Sequence, residues 1–352
     1  MRNVADLRSF VGLDYHDSGV QVCVLDREGA VLGNGHVDNQ LGAILEFVDR
    51  ALDGRLVMGA ALESCCGAAN LAEQLRERGW EVDLAHAGIC SRMKQNPDKT
   101  DFSDAQLLAD LVRVGYLPRV WLPPAEIRDL RRLTRHRQQL VEERRRIKLR
   151  IRAMLREERI SSPSDVGNVW TISWKQWLQS TAAIQGHSRW VMDVHLANLK
   201  RVSQQIQDVE RRMEESIKDD AVVQKLLTEK GIGLVTAVTM RAEIGSFRRF
   251  QSGKQLARYC AVTPMNVSSG KKQADAGLIQ AGNLHLRTML IEAAHRLARY
   301  VPKWKTLKER LKSAGKPASV AAAAVANRWI RQLYWQMQQP QAEADTETQT
   351  AA

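Results

Sequence analysis

The sequence predicts an α/β domain over residues 1–120, a long helical segment over 121–220 and a mostly α-helical domain over 221–337. Three observations support this division. Short apolar runs alternate with helical patterns up to residue 114, a seven-residue apolar repeat follows Ala125, and compact helical patterns begin at Leu226. Hydrophobic residues make up 44% of the 352 residues, which is enough for packed cores. Residues 338–352 are polar and acidic, and we expect them to be disordered.

The first domain is predicted to contain an antiparallel meander followed by β–α units. The predicted strands are 10–14, 21–25, 30–33, 56–62 and 81–85, and the predicted helices are 41–48, 71–78 and 104–114. The continuous apolar run 56–62 is typical of a central, buried strand. This element order, β-β-β-α-β-α-β-α, is that of an RNase H-like sheet, so the predicted fold is α/β and RNase H-like.

The middle segment is predicted to form a coiled coil. An apolar residue recurs every seven positions in its first half: Leu133, Leu140, Ile147 and Met154. In its second half, apolar residues from Leu199 to Met213 are spaced by three and four, which is the pattern of a coiled-coil seam. A tryptophan-rich connector separates the halves. We expect an antiparallel hairpin or a dimerising arm.

Composition excludes several classes of protein. No run of about 18 apolar residues occurs, so no membrane span is expected. The first residues lack the apolar core of a signal peptide. The five cysteines are odd in number and show no C-x-x-C spacing, which argues against a disulfide framework or a zinc ribbon. We therefore expect a cytoplasmic protein.

The net charge of +12 indicates a polyanionic partner, of which nucleic acid is the first candidate. Residues 128–159 contain 13 basic and 5 acidic residues, and residues 241–300 contain 10 basic and 3 acidic residues. Either segment alone is equally consistent with a solvated helix face. Two such segments in one chain favour nucleic-acid binding.

Four carboxylates are candidates for a metal centre: Asp14, Glu63, Asp101 and Asp104. Asp14 ends the first predicted strand and Glu63 ends the buried one, and these strands are neighbours in an RNase H-like sheet. Asp101 and Asp104 lie three apart at a helix start, on one face. Clustered carboxylates suit Mg²⁺, and two such ions can clamp a phosphodiester. For any one acid, a helix cap or a surface position is the alternative.

Two glycine-containing segments could approach a phosphate. Residues 264–272 include Ser269 and Gly270 followed by Lys271 and Lys272, and residues 281–287 include Asn283, His285 and Arg287. A serine hydroxyl is a weak nucleophile unless a metal or a cation activates it. A plain linker and a helix N-terminus are the alternative interpretations of these segments.

These motifs together resemble the DEDD-type insertion-sequence transposases, a family of bridge-RNA-guided recombinases. The resemblance spans roughly residues 9–335. Its motifs are Gly12-Leu13-Asp14, Leu62-Glu63 with Gly67, Lys99-Thr100-Asp101 through Asp104-Ala105, Gly231-Ile232-Gly233, Ala242 to Gly245, Thr263-Pro264 before Ser269-Gly270, and Gly282-Asn283 with His285-Leu286-Arg287.

The resemblance implies a RuvC-like nuclease domain whose metal ligands are Asp14, Glu63, Asp101 and Asp104. It implies that Ser269, rather than its neighbour Ser268, attacks the DNA backbone and forms a phosphoserine link. The ions would be Mg²⁺, two per site, with Mn²⁺ as a substitute. The implied partners are DNA at the element ends and the target, a structured noncoding guide RNA, and further protomers in a dimer or tetramer with composite active sites.

Ten residues are predicted to contact nucleic acid: Lys99, Arg144, Arg145, Lys148, Arg152, Lys271, Lys272, Asn283, His285 and Arg287. The chain departs from the family pattern at Ser64-Cys65-Cys66 and at Gln280-Ala281. Neither departure removes a candidate catalytic residue.

The leading hypothesis is an RNA-guided DNA transposase. The alternatives are a site-specific DNA invertase, a two-metal endonuclease of the Holliday-junction kind, and a non-enzymatic nucleic-acid-binding protein. A plain nuclease would not need the basic C-terminal domain, and a non-enzymatic protein would not need intact candidate catalytic residues.

Overall fold

The structure is a computed structural model that describes residues 8–94, 100–181, 183–267 and 275–339. The chain divides into two compact units, residues 1–123 and residues 124–352, which are described separately. In the described ranges, no helix is both long and apolar enough to cross a bilayer.

The first unit is built on a six-stranded mixed sheet. Its strands are β1 (Arg8–Tyr15), β2 (Gly19–Asp26), β3 (Val31–Asp38), β4 (Leu56–Glu63), β5 (Val82–Ala85) and β6 (Arg119–Val120). The spatial order is β3-β2-β1-β4-β5-β6. The β1–β2, β2–β3 and β5–β6 pairs are antiparallel, and the β1–β4 and β4–β5 pairs are parallel. The predicted meander is present, and the order is compatible with an RNase H-like fold.

Helices cover both faces of this sheet. They are α1 (Leu41–Leu52), α2 (Ala68–Glu77), α3 (Ala87–Met93) and α4 (Asp101–Arg113). One sheet face, which includes Val11, Leu13 and Leu62, packs with the apolar residues of α1 and α2. On the other face, Ala61 packs with Leu108 and Leu111 of α4. This two-sided burial explains why β2 is almost wholly apolar, since both of its faces are covered.

Two long antiparallel helices begin the second unit, α5 (Ala125–Glu157) and α7 (Gly186–Ser216), with the short helix α6 (Ile172–Ser180) between them. Ion pairs join Arg137 to Glu210 and Arg201 to Glu143, which fixes the antiparallel direction. Their shared core includes Ile151, Met192 and the buried ring of Trp174. The long helices predicted from the seven-residue repeat are thus present, whereas a coiled-coil supercoil and self-association stay predictions.

The described residues in the rest of the second unit are helical apart from one hairpin and the connecting loops. Its helices are α8 (Ala221–Leu227), α9 (Leu234–Ile244), α10 (Gly253–Tyr259), α11 (Leu284–Tyr300), α12 (Pro302–Ser313) and α13 (Ala318–Gln338), and they share one hydrophobic core. Strands β7 (Pro264–Asn266) and β8 (Asp275–Leu278) pair antiparallel. Gln338, which the sequence placed in the disordered tail, is the last residue of α13, and residues 340–352 lie outside the described residues.

Candidate active site

Four carboxylates share one side of the sheet in the first unit. Leu13 of β1 pairs with Leu62 of β4 in parallel register, so Asp14 and Glu63 end neighbouring strands at the same edge. Side chains alternate along a strand, so Asp14 lies on the same face as Gly12, and Glu63 on the same face as Ala61. Gly12 and Ala61 both contact α4. Asp14 and Glu63 therefore face the helix that carries the other two acids.

The first turn of α4 supplies Asp101 and Asp104. Thr100 caps this helix, and its hydroxyl accepts a hydrogen bond from the Ser103 backbone N–H at 3.2 Å. A cap at residue 100 makes Asp101 the first helical residue, and Asp104 lies one turn later on the same face. The sequence predicted the helix from Asp104 onward, so α4 begins three residues earlier than expected.

Gly12 allows α4 to lie directly on β1. A Cβ atom at residue 12 would lie 1.9 Å from the carbonyl oxygen of Ala105 and 2.5 Å from the backbone nitrogen of Ala109. Only glycine permits this contact of helix and strand backbones. The contact sets the height of Asp101 and Asp104 above Asp14.

His16 joins two of the carboxylates and was missed from the sequence. Its Nε2 lies 3.3 Å from Asp14 Oδ2 and 3.6 Å from Asp101 Oδ1. One ligand atom from each of these three residues lies within 4.8 Å of the others, the spacing of a possible metal site. The signal that could have identified His16 is its position two residues after Asp14 and directly after β1, where a continued strand alternation would place it on the face of Asp14.

Lys94 is a second contact that the sequence did not reveal. Its Nζ lies 2.5 Å from Asp104 Oδ1, and Asp104 is only 6% exposed. An ammonium group at this position neutralises a carboxylate that would otherwise be buried without a counter-charge.

The electrostatics of Asp14 reflect this crowding. Burial raises the pKa of Asp14 above its ordinary value, and the negative charges of Asp104 and Asp101 raise it further, against the lowering effect of His16. The pKa of the Cys65 thiol is also raised, first by desolvation and then by the charges of Glu63 and Asp14. These mutual effects indicate that the carboxylates form one electrostatic cluster that favours a cation.

A chain of amide hydrogen bonds holds the start of α4 against the sheet. Gln21, the cross-strand neighbour of Asp14, donates from Nε2 to Asn34 Oδ1 at 2.8 Å. Asn34 donates from Nδ2 to the backbone carbonyl of Phe102 at 3.1 Å. Phe102 follows Asp101 directly, so these bonds help to position Asp101.

In the second unit, strands β7 and β8 lie on either side of Ser269 in the sequence, and β7 occupies the start of the segment 264–272. Pro264 pairs with Leu278 and Asn266 with Asp275. The hairpin was not predicted. Ser269, Lys271 and Lys272, like Lys99 in the first unit, lie outside the described residues.

Asn283 and Arg287 make intramolecular contacts. Asn283 Oδ1 accepts from the Leu286 N–H at 3.0 Å and so caps α11, while its Nδ2 donates to Glu243 Oε2 at 2.8 Å. Arg287 donates to the backbone carbonyls of Ala261 and Ile279. Both side chains thereby fix the entry to α11, and their contact with nucleic acid stays a prediction.

Glu243 is the centre of this second network; from the sequence it was named only within the motif Ala242 to Gly245, and no role was predicted for it. It is 1% exposed, and Arg135 donates to both of its oxygens, at 2.9 and 3.1 Å. Burial acts to raise the pKa of Glu243, but the hydrogen bonds and charges of Arg135, Arg131 and Asn283 outweigh it and the pKa lies below its ordinary value. Nearby, burial lowers the pKa of His285.

The four basic residues predicted on α5 form one patch. Arg144, Lys148 and Arg152 recur every four residues and so lie along one face, with Arg145 beside them. Lys148 Nζ lies 4.9 Å from the centre of the Trp170 ring. Burial and the neighbouring charges of Arg144 and Lys175 lower the pKa of Lys148.

Two family models match this chain. The DEDD transposase model of IS110 elements covers residues 11–159, and the transposase model of the IS116/IS110/IS902 family covers residues 223–309. The chain belongs to the IS110 family of transposases. It is therefore an enzyme, a DNA transposase. The first match contains all four carboxylates described above.

Relatives of this transposase are themselves named as transposases. The chain is 29% identical over 297 residues to one from Sinorhizobium fredii, which covers 83% of this chain and 73% of the relative. It is 26% identical over 331 residues to a family 20 transposase from Pseudomonas aeruginosa, covering 93% and 96%. It is 24% identical over 318 residues to the transposase of insertion sequence IS1111A from Coxiella burnetii, covering 88% and 83%.

Proposed function

We propose that this IS110-family transposase cuts and rejoins the DNA strands of an insertion sequence and its target, using a divalent-metal site on a RuvC-like domain and a serine nucleophile, guided by a structured noncoding RNA. The observation that supports the metal site is that one ligand atom from each of Asp14, His16 and Asp101 lies within 4.8 Å of the others. Asp104 belongs to the same cluster, because its charge raises the pKa of Asp14.

The donor set suits a hard divalent cation. Asp14, Asp101 and Asp104, with Glu63 at the end of β4, offer carboxylate oxygens, which Mg²⁺ and Mn²⁺ prefer. Burial raises the pKa of Asp14, and the charges of Asp104 and Asp101 raise it further; a bound cation would relieve this second effect, the repulsion between carboxylates. Two Mg²⁺ ions would be held by these four residues, and when bound they would stabilise the charge that develops on a reacting phosphodiester.

Two further side chains contact these carboxylates. His16 lies between Asp14 and Asp101 and holds the two carboxylates at the same edge of the sheet. Lys94 neutralises Asp104. We assign Lys94 as a positioning residue, because it contacts a carboxylate rather than a reacting atom, and His16 as a further candidate ligand of the metal site.

The serine step is proposed for Ser269. Its Oγ loses its proton and attacks a backbone phosphorus, an Oγ–P bond forms, one P–O bond of the DNA breaks, and the departing DNA oxygen takes up a proton to become a hydroxyl. A hydroxyl of the second strand then attacks the phosphoserine, which restores Ser269 and rejoins the DNA. What supports this step is the family resemblance, carried by Thr263-Pro264 before Ser269-Gly270. A covalent intermediate conserves the phosphodiester, as strand exchange requires.

The proposed partners follow from the family and from charge. DNA supplies the element ends and the target, and the noncoding RNA selects them. The basic patch of α5 supports contact with one of these polyanions. A dimer or tetramer formed through the long helices is proposed for the assembly.

The metal site is tested by thermal unfolding in a Mg²⁺ titration, which does not depend on activity. The wild type should gain about 2.7 kcal/mol at a hundredfold excess of metal over its dissociation constant. Asp14→Asn should lose this gain and the cleavage of DNA. Asp110→Asn, also on α4 but outside the cluster, serves as the control. Equal stabilisation of the Asp14 variant by Mg²⁺ would refute the assignment.

The serine step is tested by denaturing the reaction on labelled DNA and mapping the protein–DNA adduct by mass spectrometry. We expect the adduct on Ser269, its loss in Ser269→Ala, and its retention in the matched control Ser268→Ala. Free cleaved ends without any adduct would favour the two-metal endonuclease instead. Omission of the guide RNA should abolish exchange at the target.

A further inference from the structure

Helices α12 and α13 form a cationic cleft that is separate from the predicted basic segments. The cleft has a volume of about 410 Å³ and is lined by Lys303, Trp304, Thr306, Leu307 and Arg310 of α12 and by Arg328 and Gln332 of α13. Residues 302–338 contain eight basic residues and one acidic residue. The excess of positive charge per residue is therefore higher here than over residues 241–300, the second segment singled out from the sequence.

The cations at this cleft are available to a ligand. Arg310 and Arg328 are exposed, and no carboxylate in the described part of the chain lies within 4.0 Å of either guanidinium. Lys303 is also exposed, and its Nζ donates to Gln332 Oε1 at 2.5 Å, which turns it toward α13. Unpaired guanidinium groups on both walls of one cleft repel each other, and an anion between them would remove that repulsion.

An exposed aromatic ring lies on the same face of α13. Trp335 is 62% exposed, and it follows Arg328 by seven residues and Gln332 by three, so the three side chains lie along one stripe of the helix. Single-stranded nucleic acid is bound by this combination of cations for the backbone and an aromatic ring for a base. A cleft of about 410 Å³ is in the size range of small-molecule pockets and would admit one strand rather than a duplex.

We propose that the α12–α13 cleft binds the phosphate backbone of a single DNA strand, with Arg310 and Arg328 on successive phosphates and Trp335 stacked on a base. The cleft lies in the second unit and contains none of the proposed metal ligands or Ser269. It would hold a strand that is exposed when the duplex opens.

The test is equilibrium binding of labelled single-stranded DNA to the full-length protein in EDTA, so the result does not depend on the metal site. The Arg310→Gln/Arg328→Gln variant should bind more weakly, with a log–log salt slope less steep by about 0.7 for each lost contact. Trp335→Ala should weaken binding on the order of tenfold without changing that slope.

A matched control uses the same helix. Lys305 and Lys312 are exposed and lie on the opposite side of α12, so Lys305→Gln/Lys312→Gln removes the same charge away from the cleft. If the two double variants lost the same affinity for single-stranded DNA, the effect would come from the overall positive charge rather than from the cleft, and the proposal would be overturned. Losses confined to duplex DNA, or to RNA of the same sequence, would overturn the single-strand DNA assignment.

Discussion

Gly12→Ala should displace the carboxylates of α4 from Asp14 while leaving the protein folded. The new Cβ would lie 1.9 Å from Ala105 O and 2.5 Å from Ala109 N, whereas real Cβ contacts stay beyond 3.0 Å. Because both contacts are backbone atoms, α4 must move outward by about 1 Å. Asp101 and Asp104 move with the helix, while Asp14 stays on the strand.

Two magnitudes follow from this shift. Overpacking of this kind costs about 1–3 kcal/mol of unfolding free energy. A misplacement of about 1 Å at a catalytic centre costs on the order of a hundredfold in rate. The variant should therefore still unfold cooperatively in urea titrations, with a lower midpoint than the wild type. Its rate of DNA cleavage should fall on the order of a hundredfold under conditions in which the protein is folded.

Alanine substitutions at two other glycines of the same unit serve as controls. At Gly42 in α1 nothing lies within 4 Å of the position that an added methyl group would take, so Gly42→Ala should gain up to about 1 kcal/mol of helix propensity. At Gly59 the nearest atom is Val112 Cγ2 at 3.3 Å, a side chain that can give way, so Gly59→Ala should have an intermediate effect. Wild-type cleavage by Gly12→Ala protein would refute the argument that this contact positions the carboxylates.

Four further outcomes are expected. Asp14→Asn should raise the thermal midpoint in EDTA while abolishing cleavage, because it removes a buried charge that Asp101 and Asp104 repel; a lower midpoint would contradict this. Glu243→Gln should cost about 3 kcal/mol in urea unfolding, since it leaves buried arginine charge uncompensated. Because folding lowers the pKa of Glu243, the stabilisation from its charged form should be lost only as the pH falls below about 4.5 and through the lowered pKa. The unfolding free energy of the variant should therefore depend less on pH in this acidic range than that of the wild type. A plot of the logarithm of the DNA-binding constant against the logarithm of the salt concentration should have a negative slope, steeper by about 0.9 for each duplex phosphate that the protein contacts. A slope near zero would mean that the basic segments are exposed to solvent and do not contact DNA. Sedimentation should show self-association with or without RNA, and a strict monomer in both states would contradict the proposed oligomer.

The long, periodic elements could be predicted from the sequence. The five predicted strands and both long helices are present, because alternation and seven-residue spacing extend over many residues. Strands β6 and β7 were missed because two and three residues are too few to show an alternating pattern, and β8 was missed because its sequence, DAGL, is neither alternating nor a continuous apolar run. The start of α4 was predicted three residues late, although Thr100 is a typical N-cap residue and could have identified it.

The carboxylate cluster was partly accessible to sequence reasoning. Neighbouring parallel strands bring Asp14 and Glu63 to one edge, and helical spacing brings Asp101 and Asp104 to one face. Lys94 could not be found in this way, because its contact with Asp104 depends on how α3 and α4 lie on the sheet. The pairing of Arg135 with Glu243 joins residues 108 positions apart, and no local pattern encodes such a distance.

The two units of this transposase carry net charges of opposite sign. Residues 1–123 contain 12 basic and 18 acidic residues, whereas residues 124–352 contain 40 basic and 22 acidic residues. The unit with the carboxylate cluster therefore repels a phosphodiester, and its cluster can approach one only when cations neutralise it. We therefore expect most of the affinity for nucleic acid to come from the second unit, which contains α5 and the α12–α13 cleft. Variants of the carboxylates should accordingly leave DNA binding intact while abolishing cleavage, and variants of the cleft should weaken binding before they affect the chemistry.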